Sequence, residues 1–367
     1  MDDEALRARV RAFLAAHWSA EDRHDPVAVR RFRALATEHG YLFGWVPREL
    51  GGSGTPGQPL AARVIAEEFA AVRAPGEPDG MSVAMLVPTL LEWGSDEQRR
   101  RFVPPTLTGE LTWCQGYSEP TAGSDLGSLR TTAHADGAGW EITGTKIWTS
   151  GATEASHMFL LARTEPDTTD RSGLSYFLLT MAQPGVLVRP LRQLTGQAGF
   201  AEVTLAGART TELVGERGRG WEVSRSTLRH ERSMVGGPAR HERLFAALLR
   251  LASTPRPDGT TALADPLVRD ELVGLHALVE QQRLAGRLRD SGDSGNLLPL
   301  TAKLAGTVIA ERVSALALRL LDTDVLHGPD RTRWLHQWLG SLGIAIAAGT
   351  SNVQRDIIAA RGLGLPS

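Results

Sequence analysis

Apolar positions recur along this chain in three successive rhythms. In the first hundred residues they fall at helical spacing. Leu6, Val10, Phe13, Leu14 and Trp18 form one stripe, and Val29, Phe32, Leu35 and Ala36 form a second that stops at Gly40. Side chains three and four apart share a helix face, so each stripe predicts an amphipathic helix packed on a core. The glycine-rich run from Gly51 to Gly57 reads as a loop, and LAARVIAEEFAAV reads as another helix. From about residue 111 to 215 the rhythm shortens. SHMFLLART, LSYFLLTM, VLVRPL and AEVTLAG are brief apolar runs bounded by turn residues, as strands are. From about 218 onward Leu, Ala and Arg dominate at helical spacing, with a loop expected at 291–296. The pattern predicts an α+β protein: an N-terminal helical domain over 1–110, a central β domain over 111–217 and a C-terminal helical domain over 218–367. Strands and helices are segregated rather than alternating, which disfavours a doubly wound nucleotide fold.

Charge narrows the function classes. Lys and Arg number 40 against 42 Asp and Glu, a net charge of −2, so no basic excess points to nucleic acid or an anionic membrane. The start, MDDEALRARVRAFLAAHW, lacks the basic opening and continuous apolar core of a secretion signal, and no run approaches the ~20 apolar residues of a membrane span. Cys114 stands alone, which excludes an internal disulfide and fits a reducing compartment. A cytoplasmic location is expected. No His, Cys or carboxylate set has metal-ligand spacing, so no metal is expected.

The candidate chemistry concentrates between Tyr117 and Ala152. Ser118-Glu119-Pro120-Thr121-Ala122-Gly123-Ser124-Asp125 makes a sharp, hydroxyl-rich turn, in which Gly123 permits close backbone approach and Ser124 supplies a donor or acceptor. Taken alone, this is equally an ordinary turn entering the β domain. Lys146-Ile147-Trp148-Thr149-Ser150 follows an expected turn at Gly144. Trp148 fits a core position or a ring wall, and its small polar neighbours favour the wall. Two such loops suit a flat cofactor with polar edges.

Together, GYSEPTAGSDLGS and GTKIWTSGA resemble the acyl-CoA dehydrogenase family. LATEHGYLFGWVPRELGGSG, GSDEQRRRFVPPTLTGELTWCQGYSEP, PLRQLTGQAGFAEVTLAGART, LVGERGRGW and AGTSNVQRDIIAARGLG resemble further family segments in the same order, so the likeness spans nearly the whole chain. The resemblance implies that the C-terminal domain is a four-helix bundle. It also implies FAD between the β domain and that bundle, in a homodimer or homotetramer. Gln115, Gly116, Tyr117, Ser118, Gly123 and Ser124 would line the flavin ring and pyrophosphate. Trp148 would pack on the ring, with Thr149 beside it and Ser150 toward flavin N5. Thr350, Ser351 and Asn352 would lie near the flavin or its adenosine arm, and Ser124, Arg232 and Gly349 would meet substrate. The implied reaction is dehydrogenation of an acyl thioester, on coenzyme A or an acyl carrier protein. A carboxylate base takes the α proton, and the β hydrogen leaves as hydride to the flavin. An electron-transfer flavoprotein or similar acceptor would reoxidise it.

The base is not where many members of the family carry it. That position is Ala348, which takes no proton. Isovaleryl- and long-chain-type members instead place a Glu-Arg pair at the opening of the first long C-terminal helix. Here that pair is Glu231-Arg232, within LRHERSMVGG. Glu231 is therefore the candidate base, against the alternative of a solvated residue among Arg229, His230 and Arg232. His230 and His241 titrate in the right range but lack a recognisable partner in sequence. The chain lacks the family's Arg-x-x-Phe-Gly and Gln-x-x-Gly-Gly segments, through which a neighbouring subunit contacts FAD. That departure fits a divergent bacterial branch or a hetero-oligomer. A small residue at 348 predicts tolerance of a branched or otherwise unusual short acyl group. Two other readings remain on the same fold: a non-catalytic partner subunit, and a flavin monooxygenase or oxidase.

Overall fold

The computed structural model describes residues 3–55, 59–78, 80–235, 238–290, 297–322, 326 and 329–366. Packing divides the chain into two compact units, residues 1–191 with 198–230, and residues 192–197 with 231–367.

In the first unit the predicted helices form. α1 (Asp3–His17) buries Leu6, Val10, Phe13 and Leu14, and Trp18 lies just past its end. α2 (Pro26–Glu38) starts where the Asp25 side chain accepts from Val27 N at 2.8 Å and Pro26 fills the first turn. α3 (Pro59–Ala71) supplies Glu68, which receives both Arg7 and Arg11 of α1. α4 (Val87–Trp93) and α5 (Asp96–Thr108) follow, and a Ser95–Gln98 capping box starts α5.

Eight strands then build one sheet: β1 (Trp113–Gly116), β2 (Thr132–Asp136), β3 (Gly139–Ser150), β4 (His157–Arg163), β5 (Leu174–Thr180), β6 (Val186–Leu191), β7 (Phe200–Thr210) and β8 (Glu212–Val214). Their order is β6-β7-β3-β2-β4-β5-β8, with β1 pairing parallel to β4. β4 and β5 are apolar without alternation because both faces are covered. Phe159, Leu161, Tyr176 and Leu178 join a core shared with the N-terminal helices, while Met158, Leu160, Phe177 and Leu179 face a second core with β3 and β7. One prediction fails here. Gly144 makes no turn: β3 runs unbroken from Gly139 to Ser150. Glycine is required there because a Cβ would stand 2.3 Å from Thr131 Oγ1 and 2.7 Å from its Cα. The residue marks a close approach to the neighbouring chain, not a reversal.

In the second unit α7 (Pro238–Ala252), α8 (Pro266–Asp290), α9 (Leu297–Leu321) and α10 (Pro329–Ile344) enclose a core of Leu248, Leu272, Leu275, Val279, Ile309, Val313 and Leu316. His241 is buried against Gly306, where a Cβ would come within 2.6 Å of the imidazole, so this histidine is a packing residue. The predicted loop at 291–296 and the His327-Gly328 segment lie outside the described residues.

Candidate active site

Two loops of the first unit meet at the end of β3. Opposite Val203 to Ala201 of β7, β3 spends two residues, Ile147 and Trp148, where its partner spends one. This is a β-bulge, and it re-aims a side chain out of the sheet. Trp148 takes φ 59°, which costs a non-glycine residue about 1–2 kcal/mol. It is 60 % exposed and makes an edge contact to Phe200 at 6.1 Å between ring centres. A large aromatic held in a strained conformation with an open face is arranged for something other than core packing. Thr149, next to it, is buried, and its hydroxyl has no hydrogen-bond partner among the described residues. Ser150 is half-buried at the strand's end.

The Ser118–Asp125 turn lies against this bulge. Ile147 N donates to the Ser118 carbonyl at 2.9 Å. Tyr117 is buried in an edge-to-face cluster with Phe159 and Tyr176, which anchors the turn's start. Gly123 and Ser124 are exposed, and a Cβ at Gly123 or Gly151 would meet nothing within 4 Å. At Gly151 the φ of 67° itself favours glycine, whereas Gly123 faces open space. Gln115 and Gly116 belong to β1, where a Cβ at Gly116 would press on Met158 Sδ at 2.5 Å. Gly116 is thus explained by packing alone.

Beneath both loops lies a pair that motif reading passed over. Lys146 is fully buried, and its Nζ donates to Glu119 Oε1 at 2.8 Å and to the Tyr117 carbonyl at 3.3 Å. Glu119 also accepts from Arg130 N at 2.7 Å and Thr131 N at 2.9 Å. Burial pushes the Glu119 carboxyl up, but the Lys146 charge and these hydrogen bonds outweigh it and hold the group below its usual range. The available signal was a lysine in one cluster and carboxylates in the other.

Helix α6 (Gly220–Val235) starts in the first unit and is pinned there. Thr227 Oγ1 lies 2.9 Å from Thr89 Oγ1 and 3.3 Å from Tyr176 Oη, all buried. Ser226 Oγ donates to Glu92 at 2.5 Å, and Arg229 reaches the same carboxylate at 3.2 Å. Arg229 is therefore engaged with Glu92 rather than part of a freely solvated charge run. Burial and Arg229 both lower the His230 pKa. Glu231 is half-buried on α6, one turn after Thr227. The side chain of Arg232 lies outside the described residues.

Glu231, Arg232 and the remaining candidates all fall in the second unit. Thr350 caps α11 (Ser351–Ile357), with its Oγ1 accepting from Val353 N at 3.2 Å, so that hydroxyl already has a structural partner. Asn352 is exposed and accepts from Arg355 at 3.1 Å. Ahead of them, Ala348 has φ 53° and Gly349 φ 87°. The buried Lys303 donates to the Gly349 carbonyl at 2.8 Å, and Gln354 donates to that of Ala348 at 3.1 Å. Ala348 thus occupies a well-held turn and itself offers no proton acceptor side chain.

A cavity of about 460 Å³ lies elsewhere in the first unit, lined by Phe102, Trp140, His157, Arg101 and Arg209 among others. No predicted site residue lines it, and its arginines are neutralised by Glu212 at 2.6 Å and Asp136 at 2.9 Å. Among the described residues no cluster suits a metal, and no helix is long and apolar enough to cross a membrane.

A helical domain, a sheet covered on both faces and a second helical domain make up the acyl-CoA dehydrogenase fold. The N-terminal, middle and C-terminal domains of acyl-CoA dehydrogenases match residues 1–110, 114–208 and 218–363, and the chain belongs to this family of FAD-dependent oxidoreductases acting on CH–CH groups. It is 36 % identical to acyl-CoA dehydrogenase IpdE1 of Mycobacterium tuberculosis, over 100 % of this chain and 98 % of that one. The short-chain specific mitochondrial enzyme of Bos taurus is 27 % identical over 94 % of this chain and 84 % of its own. Among solved structures, the ChsE4-ChsE5 complex of Mycobacterium tuberculosis superposes with a TM-score of 0.79 at 29 % identity, covering 100 % of this chain and 98 % of that one. The Tcur3481-Tcur3483 steroid ACAD also reaches 0.79, at 26 % identity and 99 % and 97 % coverage.

Proposed function

We propose that this protein dehydrogenates an acyl-CoA thioester between the α and β carbons, with Glu231 as the base that removes the α proton. The observation that carries the flavin half of the reading is Trp148, exposed and strained at a bulge beside the Ser118–Asp125 turn. FAD, when bound, would accept the β hydrogen as hydride. Gln115 to Ser118, Gly123 and Ser124 would hold it along one edge, Trp148 would wall the ring, and Thr149 and Ser150 would complete the polar rim. Thr350, Ser351 and Asn352 are proposed on the adenosine side. Ser124, Arg232 and Gly349 are proposed to meet substrate.

Glu231 is supported as base by the absence of a proton acceptor at Ala348 and by its place one turn beyond the pinned Thr227. A carboxylate gains basicity when substrate excludes water from it, because desolvation disfavours the charged form. Coenzyme A is proposed over a carrier protein because the named relatives are acyl-CoA dehydrogenases. A branched or ring-bearing acyl group is supported by the small residue at 348 and by the steroid ACAD among similar structures. A second chain of the same fold is proposed as partner. Two of the similar structures are two-protein assemblies, and the family's partner-side FAD segments are missing here. Electrons would pass on to a flavoprotein acceptor.

Glu231→Gln, mixed anaerobically with thioester, tests the base: flavin bleaching should fall by two or more orders of magnitude, and bleaching at the wild-type rate refutes the assignment. A clear preference for long straight acyl chains would exclude the substrate class. A second reading, a non-catalytic partner subunit, is favoured by Ala348. Purified protein that stays colourless and inactive with added FAD would establish it instead.

A further inference from the structure

We infer that Lys146 and Glu119 form a positioning pair for the flavin cradle: one buried ion pair locks the Tyr117–Glu119 turn to the strand that ends in the Trp148 bulge. The inference rests on the flavin reading above. Its grounds are geometric. The two cradle loops are 27 residues apart in sequence and are joined at three points. Lys146 Nζ bonds the Glu119 carboxylate at 2.8 Å and the Tyr117 carbonyl at 3.3 Å, and Ile147 N bonds the Ser118 carbonyl at 2.9 Å. The Glu119 carboxylate in turn accepts the amides of Arg130 and Thr131, which tie down the far end of the turn.

The placement is hard to explain as stabilisation. Taking two ions out of water costs several kcal/mol each, so a buried pair contributes little net stability compared with apolar residues of the same size. What the pair supplies is a fixed register. Lys146 is the last residue of β3 paired before the bulge, so its ammonium sets where the two bulged residues begin. Among the described residues Trp148 makes a single ring contact, with Phe200, and its side chain is largely exposed. The turn that would meet the flavin's polar edge and the wall that would meet its face are thus referenced to one ammonium.

The test uses the full chain and three variants: Lys146→Met, Glu119→Gln and the double variant. Glu119→Gln keeps the shape and one acceptor for the two amides, so it keeps the measurement open if Lys146→Met does not fold. The double variant removes both charges and should recover most of the melting temperature lost by Lys146→Met. FAD titration by flavin fluorescence should still show an affinity roughly tenfold or more weaker, the scale seen when groups that orient direct ligands are removed. Visible circular dichroism of the bound flavin should change in each variant, and kcat should fall, because a misplaced ring accepts hydride more slowly. FAD affinity and flavin dichroism at wild-type values in the double variant, whatever its melting temperature, would overturn the inference. Wild-type protein that takes up no FAD would overturn the flavin reading itself, and this inference with it.

Discussion

Gly220→Ala tests whether the seat of α6 matters to both stability and activity. Gly220 is the first residue of α6 and lies on the backbone of β5. A Cβ there would stand 2.4 Å from the Ser175 carbonyl carbon, 2.5 Å from its Cα and 2.6 Å from Tyr176 N. These are backbone atoms of the buried part of β5, so no flexible side chain can give way. Ordinary contact begins near 3.4 Å, so the helix start must retreat by about 1 Å. Overpacking of this kind costs about 1–3 kcal/mol. The better helix propensity of alanine returns at most about 1 kcal/mol, and less at a helix end. The clash wins, and a fall of several degrees in melting temperature is expected, at ~2–4 °C per kcal/mol. The same shift loosens Thr227 from Thr89 and Tyr176, one turn before Glu231. A misplacement of about 1 Å can cost 100-fold in rate, so kcat/KM should fall by roughly that factor. The assays are a thermal melt and steady-state dehydrogenation with an artificial electron acceptor. A variant with wild-type melting and wild-type kcat/KM would refute the packing argument. A lowered melt with unchanged kcat/KM would show that α6 is not coupled to the chemistry.

Trp148→Gly should leave the melting temperature of the flavin-free protein within about 2 °C of wild type. Relief of the strained φ offsets the lost Phe200 contact and the added chain entropy, whereas a core tryptophan would cost about 3–5 kcal/mol on truncation. FAD affinity should nevertheless drop, as read by fluorescence titration. Glu92 is held below its usual pKa first by the Ser226 hydroxyl, against a smaller upward push from burial, with Arg229 adding to the lowering. Because its folded pKa is depressed, its contribution is present above the unfolded value near pH 4.3 and is lost as pH falls through the lower folded value. The melting difference between wild type and Glu92→Gln should therefore be largest near neutrality and vanish in acid; a difference that grows below pH 4 contradicts this. Cys114 is buried and desolvation pushes its thiol up to about 12, so a disulfide reagent at pH 8 should label it only after unfolding. Rapid labelling of the native protein would place it at the surface.

Much of this protein was legible along the chain, for a local reason. Helix stripes, short strands and turn residues are written in neighbouring positions, so α1 and α2 were read from periodicity and β4 and β5 from short apolar runs between turn residues. The two cradle loops carry their own turn chemistry and a distinctive order of small residues. What failed was whatever depends on a distant neighbour. Gly144 looks like a turn until Thr131 is seen against it. A helical domain and a β domain, separate by pattern, share one core through Phe159, Leu161 and Tyr176.

The sequence by itself thus determined the order of elements, the family and the positions that could carry chemistry, because period, turn residues and motif order are properties of adjacent residues. Only the tertiary structure decided which of them cooperate. It brought Lys146 to Glu119 across 27 residues and Thr227 to Thr89 across 138, and it turned Trp148 outward at a bulge. Pairings of that kind are chosen by burial, by the need to satisfy a charge removed from water and by steric fit, and none of these exists until the chain has closed on itself.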